Sequence, residues 1–472
     1  MHTHEFRPDR RHRTRDSIHP ARLARSWRAH LLAVALLLSG ASVAGCTGSS
    51  GSPAGATARG AATPAGVVSG CLLPPATCYA PHLFQVAYGI QPLLDRGIDG
   101  RGETVTVLAP APPPGAPVPN SAPPPGASPV GTDIRQDLAA FDSEFRLPAA
   151  QIQVVTSLAG AASPWQATGE EVQDLEIVHA VAPAATFRVV LLPSSVLESA
   201  ANATAGMLAG LRLAVSGTDV ASVSWSLGEH FFTTAQVAQL HSMLTGAAAH
   251  HVTVIAGSGD NGGFSGTPFG GTAVDEVSLP AADPFVLAAG GTTLTVNPST
   301  GAYTSETAWN GRAGFSISIG ASGGGFSHVY ARPAYQDGVP GISAMRGVPD
   351  VAGDAYDGSG MSVVSTSAGQ RGIASASGTD AAASLWAGLM ALADQYARHD
   401  LGFVNPAIYR IARSSGYHEA FHDITTGSNI QTMPYPGGTA GYRAGPGWDP
   451  VTGWGSPDAQ VLVPLLAAQP AG

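Results

Sequence analysis

Short runs of apolar, β-branched residues alternate with longer segments of helical periodicity from about residue 104 onward. The runs predict strands near residues 105–108, 152–155, 186–192, 220–226 and 252–257, and the segments predict helices near 133–145, 195–215 and 234–250. The strands are almost continuously apolar, as in a parallel sheet that is covered by helices on both faces. The alternation therefore predicts an α/β fold with a mainly parallel central sheet, whose active site is expected at the carboxyl ends of the strands.

A Pro-rich stretch at residues 110–129 interrupts this pattern between the first strand and its helix. Its composition does not suit a regular element, because proline lacks the backbone donor that helices and sheets require. The stretch is predicted to be a surface insertion.

The N-terminal region has the pattern of an export signal. An Arg-rich stretch leads into an apolar run at residues 31–38, which is too short to span a bilayer as a stable helix. The following segment VAGC, ending at Cys46, resembles a bacterial lipobox, in which the new N-terminal cysteine carries lipid. An ordinary signal peptide with an incidental Cys46 is the alternative. Residues 1–45 are therefore predicted to be a lipoprotein signal peptide, and the protein to be extracellular or anchored at the cell surface.

Residues 46–78 are predicted to be a tether, because Gly, Ser, Ala, Thr and Pro dominate as far as residue 70. If Cys46 is lipidated, Cys71 and Cys78 remain as an even pair in an oxidising compartment. A local disulfide is expected between them, and two free thiols are the alternative.

The composition narrows the class of protein. The chain has 472 residues, of which 44% are apolar and 12% charged, so it is expected to be globular rather than disordered throughout. All 23 basic residues are arginines, and acidic residues outnumber them. Because the folded region has no Arg cluster, nucleic acid is excluded as a partner.

Two carboxyl groups share one face of a predicted helix. In the segment GEEVQDLE (169–176), Glu170 and Asp174 are four residues apart. If that face is buried, repulsion raises the pKa of one carboxyl group, and the pair becomes a proton relay in acid. A solvated acidic pair on a helix surface is the alternative.

Two further aspartates occupy positions that suit catalysis. Asp260 lies in the segment GSGDNGG, directly after the apolar strand near 252–257, and Asp380 lies in SGTD, before an apolar helix. The alternatives are a turn-forming aspartate for Asp260 and a helix cap for Asp380.

Two glycine-rich loops near the end of the chain each contain an aspartate. Asp423 lies in FHDITTG and Asp449 in AGPGWDP. Carboxylates together with loop carbonyls supply the oxygen ligands that Ca²⁺ takes, although neither loop has EF-hand spacing. Two ordinary Asp turns are the alternative.

Taken in order, these segments resemble the sedolisins, the serine-carboxyl peptidases, over about residues 79–466. Further matching motifs are SWS (224–226), LPA (279–281), GGT (290–292) and GVPDVA (347–352). Subtilisins have a related fold but carry a His-Gly-Thr-His segment that is missing here, so a subtilisin is excluded. The resemblance implies a subtilisin-like three-layer fold with a C-terminal calcium-binding loop region, and a peptidase domain over residues 79–470.

The resemblance also implies roles for individual residues. Glu170 is expected to act as the general base, Asp174 to support it, and Asp260 to donate a proton to the oxyanion. One Ca²⁺ is expected on the carboxylates of Asp423 and Asp449 with three backbone carbonyls, those of Ile424, Gly445 and Gly447.

The chain departs from the family pattern at the nucleophile. The family has Gly-Thr-Ser where this sequence has Gly378-Thr379-Asp380, and a proline where it has Ser384. Because a carboxylate does not readily form the same acyl-enzyme, the serine mechanism is not expected here.

Three hypotheses follow for function. The first is a catalytically impaired surface lipoprotein that binds peptides or a protein partner in the cleft, as a monomer attached to the membrane only through Cys46. The second is an active acid endopeptidase in which Glu170, Asp174, Asp260 and Asp380 activate water directly.

The third hypothesis is that Ser384 or Ser377 replaces the missing hydroxyl. It is disfavoured because a shift of four residues moves a helical side chain about 6 Å along the axis, out of reach of the carboxyl pair.

Overall fold

The structure is a computed structural model of the chain. It describes residues 67–68, 78–110, 132–156, 166–167, 169–266, 268–269, 273–311, 320–367, 370–433 and 438–470. The predicted export signal, Cys46, Cys71 and most of the Pro-rich insertion lie outside these residues. Cys78 is disulfide-bonded, and its partner also lies outside them.

Ten α-helices are present in the described part of the chain. They are α1 (Pro81–Ala87), α2 (Gln91–Leu94), α3 (Ile134–Phe145), α4 (Gly169–Val181), α5 (Ala200–Ala214), α6 (Thr234–Ala249), α7 (Thr379–Ala397), α8 (Asn405–Ala412), α9 (Tyr417–Ala420) and α10 (Ala459–Ala467). Short 3₁₀ turns cover Ser194–Leu197, Glu229–Phe231 and Ala334–Gln336.

The strands comprise one large sheet and several two-stranded pairs. They are β1 (Val67–Val68), β2 (Cys78–Tyr79), β3 (Thr104–Pro110), β4 (Thr132–Asp133), β5 (Gln151–Thr156), β6 (Gln166–Ala167), β7 (Thr186–Leu192), β8 (Val220–Val223), β9 (Leu227–Gly228), β10 (Thr253–Gly257), β11 (Ser278–Leu279), β12 (Val286–Val296), β13 (Tyr303–Ala308), β14 (Gly325–Ala331), β15 (Met345–Val348), β16 (Val351–Asp354), β17 (Ser362–Ser367), β18 (Gln370–Ser375), β19 (Phe421–His422), β20 (Gln431–Met433), β21 (Gly438–Ala440) and β22 (Ser456–Pro457).

The central sheet has eight strands, in the order β13-β12-β10-β8-β3-β7-β5, with β16 paired to β12. All of its pairings are parallel except that of β12 with β13. The prediction of an α/β fold with a mainly parallel central sheet is therefore confirmed.

Helices cover both faces of this sheet. One face packs against α4, α7 and α10, and the other against α5 and α6. Helix α7 lies within the first layer: Trp386 is fully buried, and its indole N–H donates to the carbonyl of Ala352 on β16 at 2.8 Å. The helices and the sheet thus form three layers, with a core on each side of the sheet.

Two predicted elements differ from the structure at their ends. The helix predicted near 195–215 begins only at Ala200, because Ser199 caps it by accepting from the N–H of Asn202 at 3.2 Å. The strand predicted near 220–226 ends at Val223, and the chain continues through a loop into β9, which pairs with β11. Within the described ranges, every helix is too short or too polar to span a bilayer.

Candidate active site

A small cavity opens at the carboxyl ends of β8 and β10, where catalysis was predicted. Its volume is about 160 Å³. The residues around it come from the end of β8, the loop after β10 and the first turn of α7: Val223, Ser224, Trp225, Ser226, Gly257, Gly259, Asp260, Asn261, Thr379 and Asp380.

Glycine at position 257 allows β10 to approach the start of α7 closely. A Cβ atom there would lie 2.7 Å from the hydroxyl oxygen of Thr379 and 2.8 Å from its carbonyl carbon. Real Cβ atoms do not approach backbone atoms so closely, so a larger residue would push the helix start away from the strand. The contact fixes Thr379 and Asp380 relative to the loop that carries Asp260.

Thr379 holds the carboxyl group of Asp260 in place. One carboxylate oxygen accepts from both the backbone N–H and the hydroxyl of Thr379, each at 2.9 Å, and that hydroxyl also accepts from the N–H of Gly259 at 3.0 Å. Burial raises the pKa of Asp260, and the two bonds from Thr379 partly offset the effect.

Asp380 lies in the first turn of α7 and is only partly buried. Its carboxylate accepts from the side-chain amide of Gln173 on α4 at 3.0 Å. The same amide donates to the carbonyl of Ser377 at 2.8 Å and accepts from the Ser377 N–H at 2.9 Å. Gln173 therefore connects α4 to the loop before α7 and orients Asp380.

The carboxylates of Asp260 and Asp380 face the same small space beside Gly378. A Cβ atom built on Gly378 would lie 2.1 Å from an oxygen of Asp380 and 3.1 Å from an oxygen of Asp260. The backbone of Gly378 has φ +92°, a conformation that other residues rarely adopt. The structure thus brings these two predicted site residues together.

Asp174 is fully buried on α4, behind the cavity. Burial raises its pKa to about 7, partly offset by the hydroxyls of Ser224 and Ser384 and by the amide of Gln173. Neither oxygen of Asp174 has a hydrogen bond of ordinary geometry within the described residues, so these contacts are long or poorly aligned. A raised pKa was predicted for one member of the pair, and the supporting role of Asp174 stays a prediction.

The expectation that Ser384 lies out of reach of the carboxyl pair is wrong for Asp174. Ser384 lies one helical turn beyond Asp380 on α7, and α4 packs against this helix, so its hydroxyl faces Asp174. Ser384 is fully buried, however, and it does not line the cavity.

Only the backbone of Glu170, the predicted general base, is described by the structure. The backbone of Glu170 belongs to α4, and its side chain lies outside the described residues. Gln173 and Thr379, which orient Asp380 and Asp260, were not predicted. A single glutamine within a helix forms no recognisable sequence motif, and Thr379 was considered only as part of the motif around Asp380.

The two C-terminal aspartate loops meet in the structure. The N–H of Gly447 donates to both carboxylate oxygens of Asp423 at 3.1 Å, and the N–H of Gly445 donates to Asp449 at 3.1 Å. Asp449 also accepts from the hydroxyl of Thr452 at 3.0 Å, so it organises its own turn.

The carboxylate oxygens of these two loops are chemically suited to a calcium ion. Burial raises the pKa of Asp449 to about 6, and neither Asp423 nor Asp449 forms an ion pair with an Arg or His in the described part of the chain. Ile424 is buried next to Asp423, within the same loop. Two carboxylates on neighbouring loops, with no ion-pair partner among the described residues, suit a hard cation.

Comparisons with known proteins decide the family. No family model matches the chain. Kumamolisin from Bacillus sp. (strain MN-32) is 36% identical over 319 residues, which cover 64% of this chain and 52% of kumamolisin. Sedolisin from Pseudomonas sp. (strain 101) is 36% identical over 220 residues, or 46% of this chain and 35% of sedolisin. Tripeptidyl-peptidase 1 from Homo sapiens is 30% identical over 266 residues, or 52% of this chain and 43% of that protein.

A solved structure supports the same assignment. Pseudomonas sedolisin, a serine-carboxyl proteinase complexed with two molecules of pseudo-iodotyrostatin, superimposes with a TM-score of 0.64 at 27% sequence identity. The superposition covers 82% of this chain and 98% of that one. The chain belongs to the sedolisin family.

The sedolisin-family assignment confirms the predicted family and fold class. The chain spans only about half of the length of kumamolisin, and less of the other two relatives. The predicted roles of the carboxyl groups, the calcium ion and the lipid anchor stay predictions for this sedolisin-family chain.

Proposed function

We propose that this protein is an exported sedolisin-family protein that binds peptides in its cleft and whose peptidase activity is impaired. The observation that carries the proposal is the carboxylate of Asp380 in the cavity, where the family motif has the serine hydroxyl. Its hydrogen bond from Gln173 holds it in the first turn of α7, facing the same space as Asp260.

A carboxylate at this position is a poor substitute for a serine hydroxyl. Its attack on a peptide carbonyl would give a mixed anhydride, which is less stable than the acyl ester of a serine enzyme. Loss of the nucleophile in a serine-peptidase unit reduces turnover on the order of a millionfold. The remaining parts, Asp260 and the buried Asp174, do not supply a nucleophile.

The cleft keeps features that suit an extended peptide. Trp225 and Ser226 line the cavity directly after β8, and the chain segment that contains them leads into the short strand β9. The superimposed Pseudomonas sedolisin is complexed with two molecules of pseudo-iodotyrostatin. Peptides or unfolded segments of proteins are therefore the proposed ligands.

Binding and cleavage are tested on the same purified full-length protein. Fluorescence anisotropy with labelled peptides from a digest of denatured protein should detect binding between pH 3 and 7, without release of new peptide termini. Trp225→Ala should weaken binding at least about tenfold because it removes an aromatic wall of the cleft. Tyr396→Ala, which alters an exposed aromatic outside the cavity, should not weaken it. Absence of binding at millimolar peptide would contradict the proposal.

A second function is favoured by one observation: Asp260 and Asp380 face one small space, and burial raises the pKa of Asp260. With one carboxyl group neutral and the other ionised, the ionised group takes a proton from water as the water oxygen attacks the peptide carbonyl. The neutral group protonates the carbonyl oxygen, and collapse of the intermediate with proton transfer to nitrogen releases an acid and an amine. If the protein has this second function, the unmodified protein hydrolyses peptides in acid, and the Asp380→Asn variant does not.

The calcium ion forms part of the proposal. Asp423 and Asp449 would hold Ca²⁺ with the carbonyls of Ile424, Gly445 and Gly447, and the ion would fix the two loops against each other. A chelator should lower the melting temperature of the full-length protein, and Asp449→Asn should lower the calcium affinity. A chelator-induced shift of the melting temperature that is absent, or that is equally large in Asp449→Asn, would contradict the site.

Anchoring through Cys46 is proposed from the sequence motif alone, since this residue lies outside the described residues. Cys46→Ala should release the protein into the medium or block its processing. The assignment is wrong if the wild type already accumulates in the medium with another N-terminus.

A further inference from the structure

Four carboxyl groups meet at the amino end of the central sheet, on the side opposite to the cavity. Glu103 directly precedes β3, and Asp219 directly precedes β8. Asp394 lies near the end of α7, and Asp400 follows that helix. Parallel neighbouring strands and the end of one long helix therefore deliver all four groups to one place.

Three of these groups have the spacing of ligands to a single ion. Carboxylate oxygens of Glu103, Asp219 and Asp400 all lie within 4.8 Å of one another, and the three residues are half-buried. Two oxygens that are each about 2.4 Å from the same ion are at most about 4.8 Å apart.

The fourth group, Asp394, is fully buried and interacts electrostatically with the other three. One of its carboxylate oxygens accepts from the N–H of Leu401 at 2.8 Å, which fixes the orientation of the side chain. The other oxygen is buried without a hydrogen-bond partner in the structure. A buried carboxylate oxygen with no donor is costly unless a cation approaches it.

No positive charge compensates this cluster within the described ranges. The ion pairs found there do not include any of the four groups, and the sequence has no lysine. The groups therefore repel one another in the absence of a cation.

We propose that Glu103, Asp219 and Asp400 bind one Ca²⁺ beside the buried carboxyl group of Asp394. The ligands are all oxygens, so the site suits a hard cation rather than zinc or copper, and carboxylates on separate segments suit the flexible coordination of Ca²⁺. Backbone N–H groups orient one ligand and its buried neighbour: Thr104 donates to Asp219 at 2.7 Å, and Leu401 donates to Asp394.

The ion would join segments that are far apart in sequence. It would tie the starts of β3 and β8 to the end of α7, whose other end carries Asp380. The site is separate from the loops of Asp423 and Asp449, and it does not depend on peptide binding or cleavage.

The test measures calcium binding to the full-length protein by equilibrium dialysis and by calorimetry. Asp423→Asn, which disables the C-terminal loops, should still bind Ca²⁺. Adding Glu103→Gln and Asp400→Asn to this variant should reduce the remaining affinity at least about a hundredfold. Glu144→Gln, an exposed carboxylate on α3, is the matched control and should leave it unchanged.

Melting temperatures in EGTA and in Ca²⁺ separate a binding site from a merely repulsive cluster. The proposal predicts that the Glu103→Gln/Asp400→Asn pair reduces the shift that Ca²⁺ causes. The proposal is overturned if the pair raises the melting temperature in EGTA and leaves the Ca²⁺ shift unchanged, or if Mg²⁺ binds and Ca²⁺ does not. Should the pair fail to fold in EGTA, Asp400→Asn alone gives the same comparison, because this half-buried residue follows the helix.

Discussion

Asp174, Asp260 and Asp380 have the same side chain in three different surroundings. Asp174 is enclosed by two hydroxyls and an amide, and burial raises its pKa to about 7. Asp260 is held by Thr379, and Asp380 by Gln173 at the edge of the open cavity. Their distinct roles in the proposal follow from these contacts rather than from residue type.

Another aspartate, Asp350, has a structural role that gives a stability prediction. It forms a fully buried, two-point ion pair with Arg346 at 2.6 and 2.8 Å, and it also accepts from the hydroxyl of Tyr409 at 2.8 Å. Asp350→Ala leaves a buried guanidinium without its partner, so the free energy of unfolding should fall by about 3–5 kcal/mol.

Urea denaturation checks this value against an exposed ion pair of the same kind. Asp337 pairs with Arg332 at 2.8 Å, and its side chain is 61% exposed. Asp337→Ala should change the free energy of unfolding by about 1 kcal/mol or less. Equal effects of the two substitutions would show that burial does not control the strength of the Asp350 pair.

Individual site residues could be predicted from the sequence where they lie within a recognisable motif. Asp260 and Asp380 were both predicted, one from the end of an apolar strand and the other from the start of an apolar helix. Gln173 and the contact of Ser384 with Asp174 were not predicted. They depend on the packing of α4 against α7, two helices that are far apart in the sequence.

At the scale of elements, the close contact between β10 and α7 sets the geometry of the site. Gly257→Ala would place a methyl group within 2.7 to 2.9 Å of three atoms of Thr379. It should lower the free energy of unfolding by about 1–3 kcal/mol through overpacking. It should also weaken peptide binding, because the first turn of α7 must move.

Gly246→Ala on α6 is the matched control. A Cβ atom there meets nothing within 4 Å, so this substitution should raise the free energy of unfolding by up to about 1 kcal/mol through helix propensity. Thermal denaturation of both variants distinguishes the two effects. A neutral Gly257→Ala would contradict the proposed role of the contact.

The long apolar elements were predicted well because their periodicity is strong. Strand β7 (Thr186–Leu192) has the predicted bounds, and α6 (Thr234–Ala249) differs from its prediction by one residue. The strand predicted near 220–226 was too long, because its apolar and polar pattern continues into a loop whose end is set by the pairing of β9 with β11. Such a pairing joins distant segments and leaves no local signal.

At the scale of the whole molecule, buried acidic groups predict that the fold is more stable in acid. Burial raises the pKa of Asp174 to about 7 and that of Asp354 to about 8, above the value of about 3.9 for an unfolded aspartate. Between pH of about 4 and these values, the folded state binds more protons than the unfolded state. The free energy of unfolding should therefore fall as the pH rises through this window.

Urea denaturation at pH 4, 6 and 8 in the presence of EGTA measures this slope. Asp354→Asn keeps an oxygen for the N–H of Leu294 but cannot titrate, so it should flatten the slope by up to about 1.4 kcal/mol per pH unit. Stability that increases from pH 4 to pH 8, or a slope that the substitution leaves unchanged, would contradict the prediction.

Impaired peptidase activity is a property of the whole protein, and turnover of a protein substrate measures it. Hydrolysis of a denatured protein is measured between pH 3 and 7 for the wild type, Asp380→Ser and Asp380→Asn. We predict that the wild type and Asp380→Asn are nearly inactive and that Asp380→Ser is at least about a hundredfold more active, because it regains a hydroxyl beside Asp260. Wild-type turnover that equals or exceeds that of Asp380→Ser, and that Asp380→Asn abolishes, would contradict the claim and favour direct activation of water by the carboxyl groups.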